Sequence, residues 1–367
     1  MSTSLKTFKH SSKTHALSEH LASIAMSLGP EAKLPTIQEL RRELNVSIAT
    51  LDNALTQLEI QKVIYRKHGV GIFVSPHVGK KSIGLVCDPG FFRAGMSPFW
   101  QEIIEGLRAY GVSKGESCRF YLALPSVQGN FPVPDDLIED IRNKRLDGVL
   151  FIGVNQPAVQ WILDQNIPVV AFAGWSQWEV QINYPALLHL AFDAIKANHC
   201  QEIGFLTPFF VINGEQVTNP HDTIHQFNQL VAEHQLTTRP EWIWTPDRLA
   251  LETTQQEQGY NAILSIFGGE RTLSDGPKCI ICNDDMMTRG ALVAMQKLGI
   301  RVGEDLKIVT HTNKGSSVLQ GYENDLWRIE VDPAAIVAAM FSLINALLEG
   351  QKPTKHTILI APEIAKS

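Results

Sequence analysis

Hydrophobic residues follow one spacing near the N-terminus and a different one in the rest of the chain. Between residues 1 and 80, Leu17, Leu21, Ile24 and Leu28 recur every three or four positions. That spacing predicts an amphipathic helix with these residues facing a core, and the helix is predicted to end at the Gly-Pro pair that follows.

Two further helices and a hairpin are predicted next. Thr36 with Glu39 three residues later is a capping box, and Asn45 can take the left-handed conformation that ends a helix. Ser47 then caps a third helix. Its core-facing positions are predicted to be Leu51, Ala54, Leu55 and Leu58. The segment KVIYRKHGVGIFV alternates like two strands joined by a glycine turn, so the order of elements predicts a winged helix-turn-helix.

From residue 82 the pattern changes to short apolar runs, such as SIGLVCD, DGVLFIGV and KCIICND, separated by helical stretches. This alternation predicts an α/β fold of doubly wound parallel sheets with helices on both faces. The alternation restarts after Phe210, which predicts two lobes with a ligand cleft between them. The predicted domains are therefore a winged helix at 1–76, a linker at 77–82 and a two-lobed domain at 83–367.

Charge distinguishes the two predicted parts. The whole chain has a net charge of −6, but residues 1–80 hold 10 Lys and Arg against 6 Asp and Glu. Residues 81–367 hold 22 Lys and Arg against 32 Asp and Glu. We call the basic N-terminal part the head and the acidic remainder the body. The positive charge of the head favours its contact with a polyanion.

Composition and motifs exclude several classes of protein. Hydrophobic residues make up 44% and charged residues 19% of the chain, as in soluble globular proteins, and no apolar run is long enough to predict a membrane helix. The polar N-terminus and five cysteines without a secretory signal predict a cytoplasmic protein with reduced thiols. Cys279 and Cys282 lie in a predicted buried strand and point to opposite faces, so no metal site is predicted.

A Walker loop, HExxH and DxDxDG do not occur, and the GxSxG string GVSKG at 111–115 stands at the end of a predicted helix, not at the strand-to-helix turn of a nucleophile elbow. The acidic pairs Asp135-Asp136 and Asp284-Asp285 stand at predicted helix starts, where carboxylates act as caps. The chain is therefore predicted not to be an enzyme and to need no cofactor. A hydrolase is the remote alternative, because glycosidase carboxylates leave no short motif.

The run LPTIQELRRELNVSIATLDNALTQLEIQKVIYRKHGVGIFV resembles the GntR-family DNA-binding domain without gaps. The resemblance implies that the third helix enters the major groove and that the wing tip contacts the minor groove or the backbone. The DNA-binding residues that it implies are Gln38, Arg41, Ile48, Ala49, Thr50, Asp52, Asn53, Arg66, Lys67, His68 and Gly69.

The sequence departs from the GntR pattern where family members usually carry arginines, at Gln38, Ile48 and Asp52. Asn53 or Gln38 can read adenine instead, and Asp52 can accept from a cytosine amine. Two alternatives stay open: Thr50 packs against the preceding helix, and Asp52 is a solvated helix charge. A third alternative is that the head has lost DNA binding altogether.

Residues 82–367 resemble the LacI/GalR-type effector domain, which is related to periplasmic sugar-binding proteins. The run CNDDMMTRGALVAMQKLGIRVGEDLKIV carries this resemblance most specifically. A GntR-type head on such a body is the arrangement of arabinose-type repressors. The resemblance implies a homodimer that binds a palindromic operator in double-stranded DNA and a sugar-like effector in the inter-lobe cleft.

The effector-binding residues that the resemblance implies are Phe99, Trp100, Trp175, Thr223 and Asp285. Asp285 falls where the family has an acidic residue that binds hydroxyls, and Phe99 and Trp100 fall at its first-lobe aromatic site. Thr223 replaces an arginine that binds the sugar in many members. Two alternatives are open for His221 and His225: one of them substitutes for that arginine, or each is a helix-surface histidine. Two further alternatives are open: the aromatic pair packs in the core, and one of the two aspartates is only a helix cap.

These observations predict a ligand-responsive, DNA-binding repressor of transcription with no membrane partner. The alternative is a ligand-binding sensor that has lost sequence-specific DNA binding. The sequence leaves open which of Trp175, Trp178, Trp242 and Trp244 line the cleft.

Overall fold

The structure is a computed structural model. It describes residues 6–93, 95–123, 133–154, 158–208, 211–212, 215–216, 220–244, 253–269 and 273–365. The chain divides into two units. One comprises Met1–Gly84, Gly111–Tyr121 and Pro134–Val149, and the other comprises Leu85–Tyr110, Leu122–Val133 and Leu150–Ser367. The predicted boundaries at 76 and 82 stay a prediction.

The N-terminal region has the predicted order of elements. It comprises α1 Lys6–Leu28, α2 Ile37–Leu44, α3 Ile48–Ile60, β1 Ile64–Lys67 and β2 Gly71–Val74. Thr36 and Glu39 form a complete capping box, and Asn45 ends α2 with a left-handed backbone, φ 48°. The Ser47 hydroxyl caps α3 by accepting from the amide of Thr50. The winged helix-turn-helix prediction is confirmed.

The core of this region lies between α1, α3 and the hairpin. The four predicted core residues of α3 are all buried, as are Leu17 and Leu21 of α1. Leu28 is not: it is the last residue of α1, and its side chain is 45% exposed. Ala25, one turn after Leu21, is fully buried instead, so the predicted inward position of Leu28 is wrong.

The rest of the chain forms two six-stranded sheets. The first has the order β15-β7-β6-β5-β3-β4, with β3 Ser82–Cys87, β4 Ser117–Leu122, β5 Gly148–Ile152, β6 Val169–Phe172, β7 Glu179–Ile182 and β15 Thr357–Ile360. The second has the order β11-β8-β12-β13-β14-β16, with β8 Ile203–Leu206, β11 Ile243–Trp244, β12 Cys279–Cys282, β13 Lys307–Asn313, β14 Leu326–Val331 and β16 Glu363–Ile364. A small hairpin pairs β9 Val211–Ile212 with β10 Glu215–Gln216.

Helices connect and cover these sheets. They are α4 Phe99–Ser113, α5 Asp135–Arg142, α6 Ala158–Leu163, α7 Tyr184–Ala197, α8 Pro220–Glu233, α9 Gln255–Phe267, α10 Asp285–Leu298 and α11 Pro333–Leu348, with 3-10 turns at Pro89–Phe92 and Pro240–Trp242. Within the second sheet, β11, β8, β12, β13 and β14 pair in parallel, and β16 is antiparallel to β14. The predicted α/β fold with parallel sheets is confirmed.

The chain changes from one sheet to the other earlier than predicted. Helix α7 packs against β13, β14 and β16, and β8 belongs to the second sheet, so the change occurs at Asn183 rather than after Phe210. The chain then returns: α11 packs against β6 and β7, and β15 joins the edge of the first sheet. Local periodicity identifies a helix but not the sheet that the helix covers, which is why the sequence misplaces this change.

Candidate DNA-binding surface and ligand cavity

The predicted DNA-binding residues lie on α2, α3 and the β1–β2 hairpin. All except Thr50 are exposed. The Thr50 hydroxyl lies 2.7 Å from the Ser47 hydroxyl and is half-buried, so it is engaged in the cap of α3. Ile48 stands at the first position of α3 with 57% of its surface exposed. The first turn of α3 therefore presents an apolar side chain where the GntR pattern has a cation.

The cations of the hairpin are already engaged by neighbouring groups. Nη2 of Arg66 lies 3.0 Å from Oδ1 of Asp52, and Nε of Arg66 lies 3.4 Å from Oε2 of Glu59. Nζ of Lys67 lies 5.0 Å from the centre of the Phe73 ring. The wing turn holds Gly69 at φ 70°, which lets the chain reverse after His68. In this structure Asp52 is therefore neither a free acceptor nor simply solvated.

A cavity of about 470 Å³ lies between the two sheets, within the larger unit. One wall is aromatic and consists of Phe91, Phe99, Trp100 and Phe172. The rings of Phe91 and Trp100 stack at 4.0 Å with 8° between their planes, and Phe99 meets Trp100 edge-on. Such flat apolar faces suit a planar ring or the C–H face of a sugar.

The opposite wall is polar and comes from the ends of β8, β12 and β13 and the start of α10. It includes Thr207, Asn283, Asp284, Asp285, His311 and Asn313. Asp284 is the N-cap of α10: its Oδ1 accepts from the amide of Met287 at 2.7 Å. Asp285 is the first helical residue and is only 2% exposed, and the Ser316 hydroxyl lies 3.5 Å from its Oδ2. Of the two aspartates, Asp284 is thus the one that caps the helix.

Burial shifts the pKa values of the ionisable groups in this wall. It raises the pKa of Asp284 to about 6, and burial together with the charge of Asp284 raises the pKa of Asp285 to about 7. Burial lowers the pKa of His311 to about 4, so the imidazole is neutral at physiological pH. The wall therefore holds two adjacent carboxyl groups that ionise with difficulty next to an uncharged histidine.

Three buried polar atoms of the same wall have no hydrogen-bond partner among the described residues. They are Oδ1 of Asn283, Nε2 of His311 and Oδ1 of Asn313. Unpaired buried polar atoms are rare because each costs about 1–3 kcal/mol of stability. Their collection in one cavity indicates a place where a polar molecule supplies the missing partners.

The structure brings four of the five predicted effector-binding residues together. Phe99, Trp100, Thr223 and Asp285 line the cavity, whereas Trp175 is 38% exposed and does not. His225 is exposed and lies outside the lining residues, and the His221 side chain lies outside the described residues.

The other tryptophans are accounted for elsewhere. Trp178 stacks on His356 at 4.5 Å, Trp242 is buried in the core of the second lobe, and Trp244 packs against that core. Sequence reasoning missed Phe91, Phe172, Asn283, His311 and Asn313. The signal for the last two was the pair of polar residues, two apart, at the end of the strand KIVTHTN.

Among the described residues, no group of three His, Cys, Asp or Glu side chains could hold a metal ion. Cys279 and Cys282 are buried in β12, as predicted. None of the described helices is both long enough and apolar enough to cross a membrane.

Residues 15–74 match the gntR family of bacterial regulatory proteins, and residues 192–366 match the periplasmic binding protein-like domain. The HTH-type transcriptional repressor PurR of Yersinia pestis bv. Antiqua (strain Antiqua) is 26% identical over 298 residues, covering 78% of this chain and 79% of PurR.

Two solved structures share the fold. A regulatory protein of LacI family from Chloroflexus aggregans aligns with a TM-score of 0.60 at 19% identity, over 77% of this chain and 96% of that one. The lac repressor dimer bound to operator and the anti-inducer ONPF aligns with a TM-score of 0.58 at 15% identity, over 78% of this chain and 93% of the repressor chain. These relatives are regulators of transcription, not enzymes.

Proposed function

We propose that this chain, which joins a gntR-type DNA-binding domain to a periplasmic binding protein-like domain, is a transcriptional repressor controlled by a small polar ligand. The observation that carries the proposal is the cavity of about 470 Å³, which has an aromatic wall facing a wall of unpaired polar atoms. The ligand belongs to the sugar class, because a sugar offers both an apolar C–H face and several hydroxyl donors.

The aromatic and the polar residues of the cavity contact different parts of such a ligand. Phe99 and Trp100 pack against the ring, and Asp285 and Asn313 accept from its hydroxyls. Thr223, on α8, offers a hydroxyl and no positive charge at the place where many effector domains of this type have an arginine. The winged helix at 1–76 and the linker at 77–82 then transmit the state of the 83–367 domain to DNA.

The proposed DNA target is a two-fold symmetric operator bound by a homodimer. One relative is a lac repressor dimer on its operator, which supports this mode of binding. Two heads on one dimer must meet half-sites about one helical turn, roughly 34–36 Å, apart. A ligand that binds one arrangement of the heads better than another shifts DNA affinity by the difference in its two affinities.

The test is selection of bound duplexes from a random DNA pool with the full chain. Enriched sites are then retested by fluorescence anisotropy at several salt concentrations, with and without sugars. A symmetric site, a steep salt slope and release of DNA by a sugar support the proposal, because phosphate contacts impose a strong salt dependence.

The second candidate function is a ligand sensor without sequence-specific DNA binding. The specific observation in its favour is that Arg66, a cation of the wing, is paired with Asp52 and Glu59 of α3. In that case the random pool shows no enrichment and the salt slope is flat, while ligand binding to the cavity persists.

A further inference from the structure

We propose that the ligand carries a protonated amine and that this cation lies against the carboxylates of Asp284 and Asp285. The inference rests on the proposed function and narrows its ligand class from sugars in general to amino sugars. It also excludes sugar phosphates and sugar acids.

The charges around the cavity support a cationic ligand. Asp284 and Asp285 are both buried and adjacent, and no Lys or Arg occurs among the described residues that line the cavity. Neither carboxylate makes an ion pair with a described cation, and the Ser316 hydroxyl is a long 3.5 Å from Asp285. Two buried acids without a counter-ion among the described residues are costly, and a ligand ammonium group would supply the missing charge.

The unpaired atoms of the same wall point to a ligand rich in hydrogen-bond donors. Oδ1 of Asn313, on a residue that is 4% exposed, is a buried acceptor without a partner among the described residues, and Oδ1 of Asn283 is another. Nε2 of the nearly buried His311 is likewise unpaired there. A phosphate or carboxylate has no hydrogens to offer these oxygens, whereas an ammonium has three and each hydroxyl has one.

The aromatic wall is compatible with a cationic ligand. Phe91, Phe99, Trp100 and Phe172 line it and contribute no positive charge. Aromatic rings attract a cation that approaches a ring face within about 6 Å.

The other titratable groups around the two carboxylates do not neutralise them. Cys282 precedes them on β12, and burial raises the pKa of its thiol to about 12. His311 faces them from β13 and is uncharged because burial lowers its pKa to about 4. Tyr184 at the start of α7 contributes a phenol, and Lys314, just beyond β13, pairs with Asp332 at 3.5 Å.

The experiment compares sugars that differ only in charge, by isothermal titration calorimetry with the full chain. The probes are three matched sets: glucosamine, glucose and glucuronate, and the corresponding galacto and manno sets. In at least one set the amino sugar is expected to bind about tenfold or more tightly than the neutral sugar, and the uronate is expected not to bind.

A pH series on the wild-type chain gives a readout that does not depend on any variant. Because burial raises the pKa of Asp285 to about 7 and that of Asp284 to about 6, both lose charge as the pH falls from about 7 to about 5.5, while the amine stays protonated. The preference for the amino sugar is expected to shrink over this range. His311 stays neutral throughout and cannot produce the change.

Two variants locate the effect. Asp285→Asn keeps the shape and removes one of the two charges, so it is expected to reduce the preference for the amino sugar over the neutral sugar, while the remaining carboxylate of Asp284 retains part of it. The matched control is Asp135→Asn, because Asp135 is the first residue of α5, is exposed and does not line the cavity. Near-ultraviolet circular dichroism establishes that both variants are folded.

The outcomes separate this inference from the proposed function. Neutral sugars or uronates that bind as tightly as amino sugars overturn the inference and leave a sugar-responsive regulator in place. A preference that is unchanged in Asp285→Asn also overturns it. If no sugar of any charge binds, the sugar class fails and the inference fails with it.

Discussion

Gly290 of α10 lies directly against the backbone carbonyl oxygen of Gln256 in α9, so that a Cβ atom at residue 290 would come within 1.8 Å of that oxygen. The contact is reciprocal, since a Cβ atom at Gly259 would come within 1.8 Å of the carbonyl oxygen of Met287. The two helices therefore pack backbone to backbone. Because α10 begins beside the cavity, this contact also fixes the position of Asp285.

Replacing Gly290 with alanine should therefore destabilise the protein and weaken ligand binding together. Neither backbone can yield without separating the helices, so we expect a loss of about 2–3 kcal/mol of unfolding free energy and a fall in melting temperature of about 5–10 °C. Thermal melting by circular dichroism, followed by titration with the ligand, measures both effects.

Gly106→Ala is the matched control for that variant. Gly106 is also within a helix, α4, but a Cβ atom there would meet only a Val337 methyl group at 3.1 Å. Side chains adjust more easily than backbone, and alanine favours the helix by about 1 kcal/mol, so this variant should melt within a few degrees of the wild type. An equal fall in melting temperature in both variants would contradict the prediction, because it would mean that a Cβ atom between α9 and α10 destabilises the protein no more than one beside Val337.

The parts of the fold that could be predicted from the sequence are those that local interactions decide. The capping box of Thr36 and Glu39, the left-handed Asn45 and the cap at Ser47 each involve residues within a few positions of one another. Strand β15 was not predicted, because it pairs with β7, nearly 180 residues away in the chain, and no local pattern records that pairing. Strand β7, which also pairs with its chain neighbour β6, was not predicted either.

The cavity was predictable only where a family resemblance named a position. Asp285 and Trp100 were placed in this way, whereas His311 and Asn313 lie in a strand in which every residue after Lys307 is buried, so the polar pair alone does not show that they face a cavity. Whether a loop tryptophan such as Trp175 faces the cavity depends on how the loop folds, which spacing does not reveal. The Arg66–Asp52 pair was missed for a similar reason, since it forms only when the wing folds back onto α3.

That ion pair leads to a prediction about DNA binding. Removing the carboxylate in Asp52→Ala leaves Arg66 with Glu59 as its remaining carboxylate partner, so its guanidinium becomes more available to a phosphate. Each added phosphate contact steepens the dependence of log affinity on log salt by about 0.9, and we expect the slope to increase by roughly one. Affinity at low salt should rise about three- to tenfold, as measured by anisotropy on a selected operator.

Glu43→Ala removes the same charge from the exposed face of α2 and leaves the pair intact. We expect it to raise affinity less and to leave the salt slope unchanged. A different result would assign Asp52 another role: if Asp52→Ala weakens binding and relaxes the preference at one base pair, Asp52 reads a cytosine amine directly.

The aromatic wall yields a prediction about the ligand alone. Trp100 lies between Phe91 at 4.0 Å and Phe172 at 6.1 Å, and its indole lines the cavity. Trp100→Phe keeps an aromatic ring but reduces the aromatic surface that the ligand can contact, so the ligand should bind about tenfold more weakly. The affinity for DNA in the absence of ligand should be unchanged. Calorimetry and anisotropy measure the two affinities separately.

Trp175→Phe provides the comparison, since Trp175 was implied as an effector contact but lies outside the lining residues. Ligand affinity in this variant should equal that of the wild type. A loss in Trp175→Phe as large as the loss in Trp100→Phe would mean that the ligand reaches beyond the cavity to the loop after β6.

The stability of the protein is expected to depend on pH because Asp285 is buried. Replacing Asp285 with asparagine tests this dependence. The pKa of Asp285 is about 7 in the folded protein against an ordinary value of 3.8, so the folded state holds a proton that the unfolded state has lost. The stabilisation from this proton is complete below about pH 4 and disappears as the pH rises through 7. His311 works in the opposite direction: its folded pKa of about 4 lies below the ordinary 6.5, so its contribution is lost as the pH falls through that window.

Asp285→Asn removes the first effect and keeps the second, so the histidine contribution cancels in the difference between variant and wild type. Near pH 4 the unfolding free energy of the variant should be equal to or lower than that of the wild type. As the pH rises to about 8, the unfolding free energy of the variant should increase relative to that of the wild type by on the order of 2 kcal/mol. The repulsion from Asp284 is one of the causes of the raised pKa of Asp285 and is therefore already included in this gain. Denaturant melts of both proteins at matched pH values measure the difference. A difference that stays constant from pH 4 to pH 8 would mean that Asp285 is ionised in the folded protein throughout, and that solvent or a bound cation already compensates its charge.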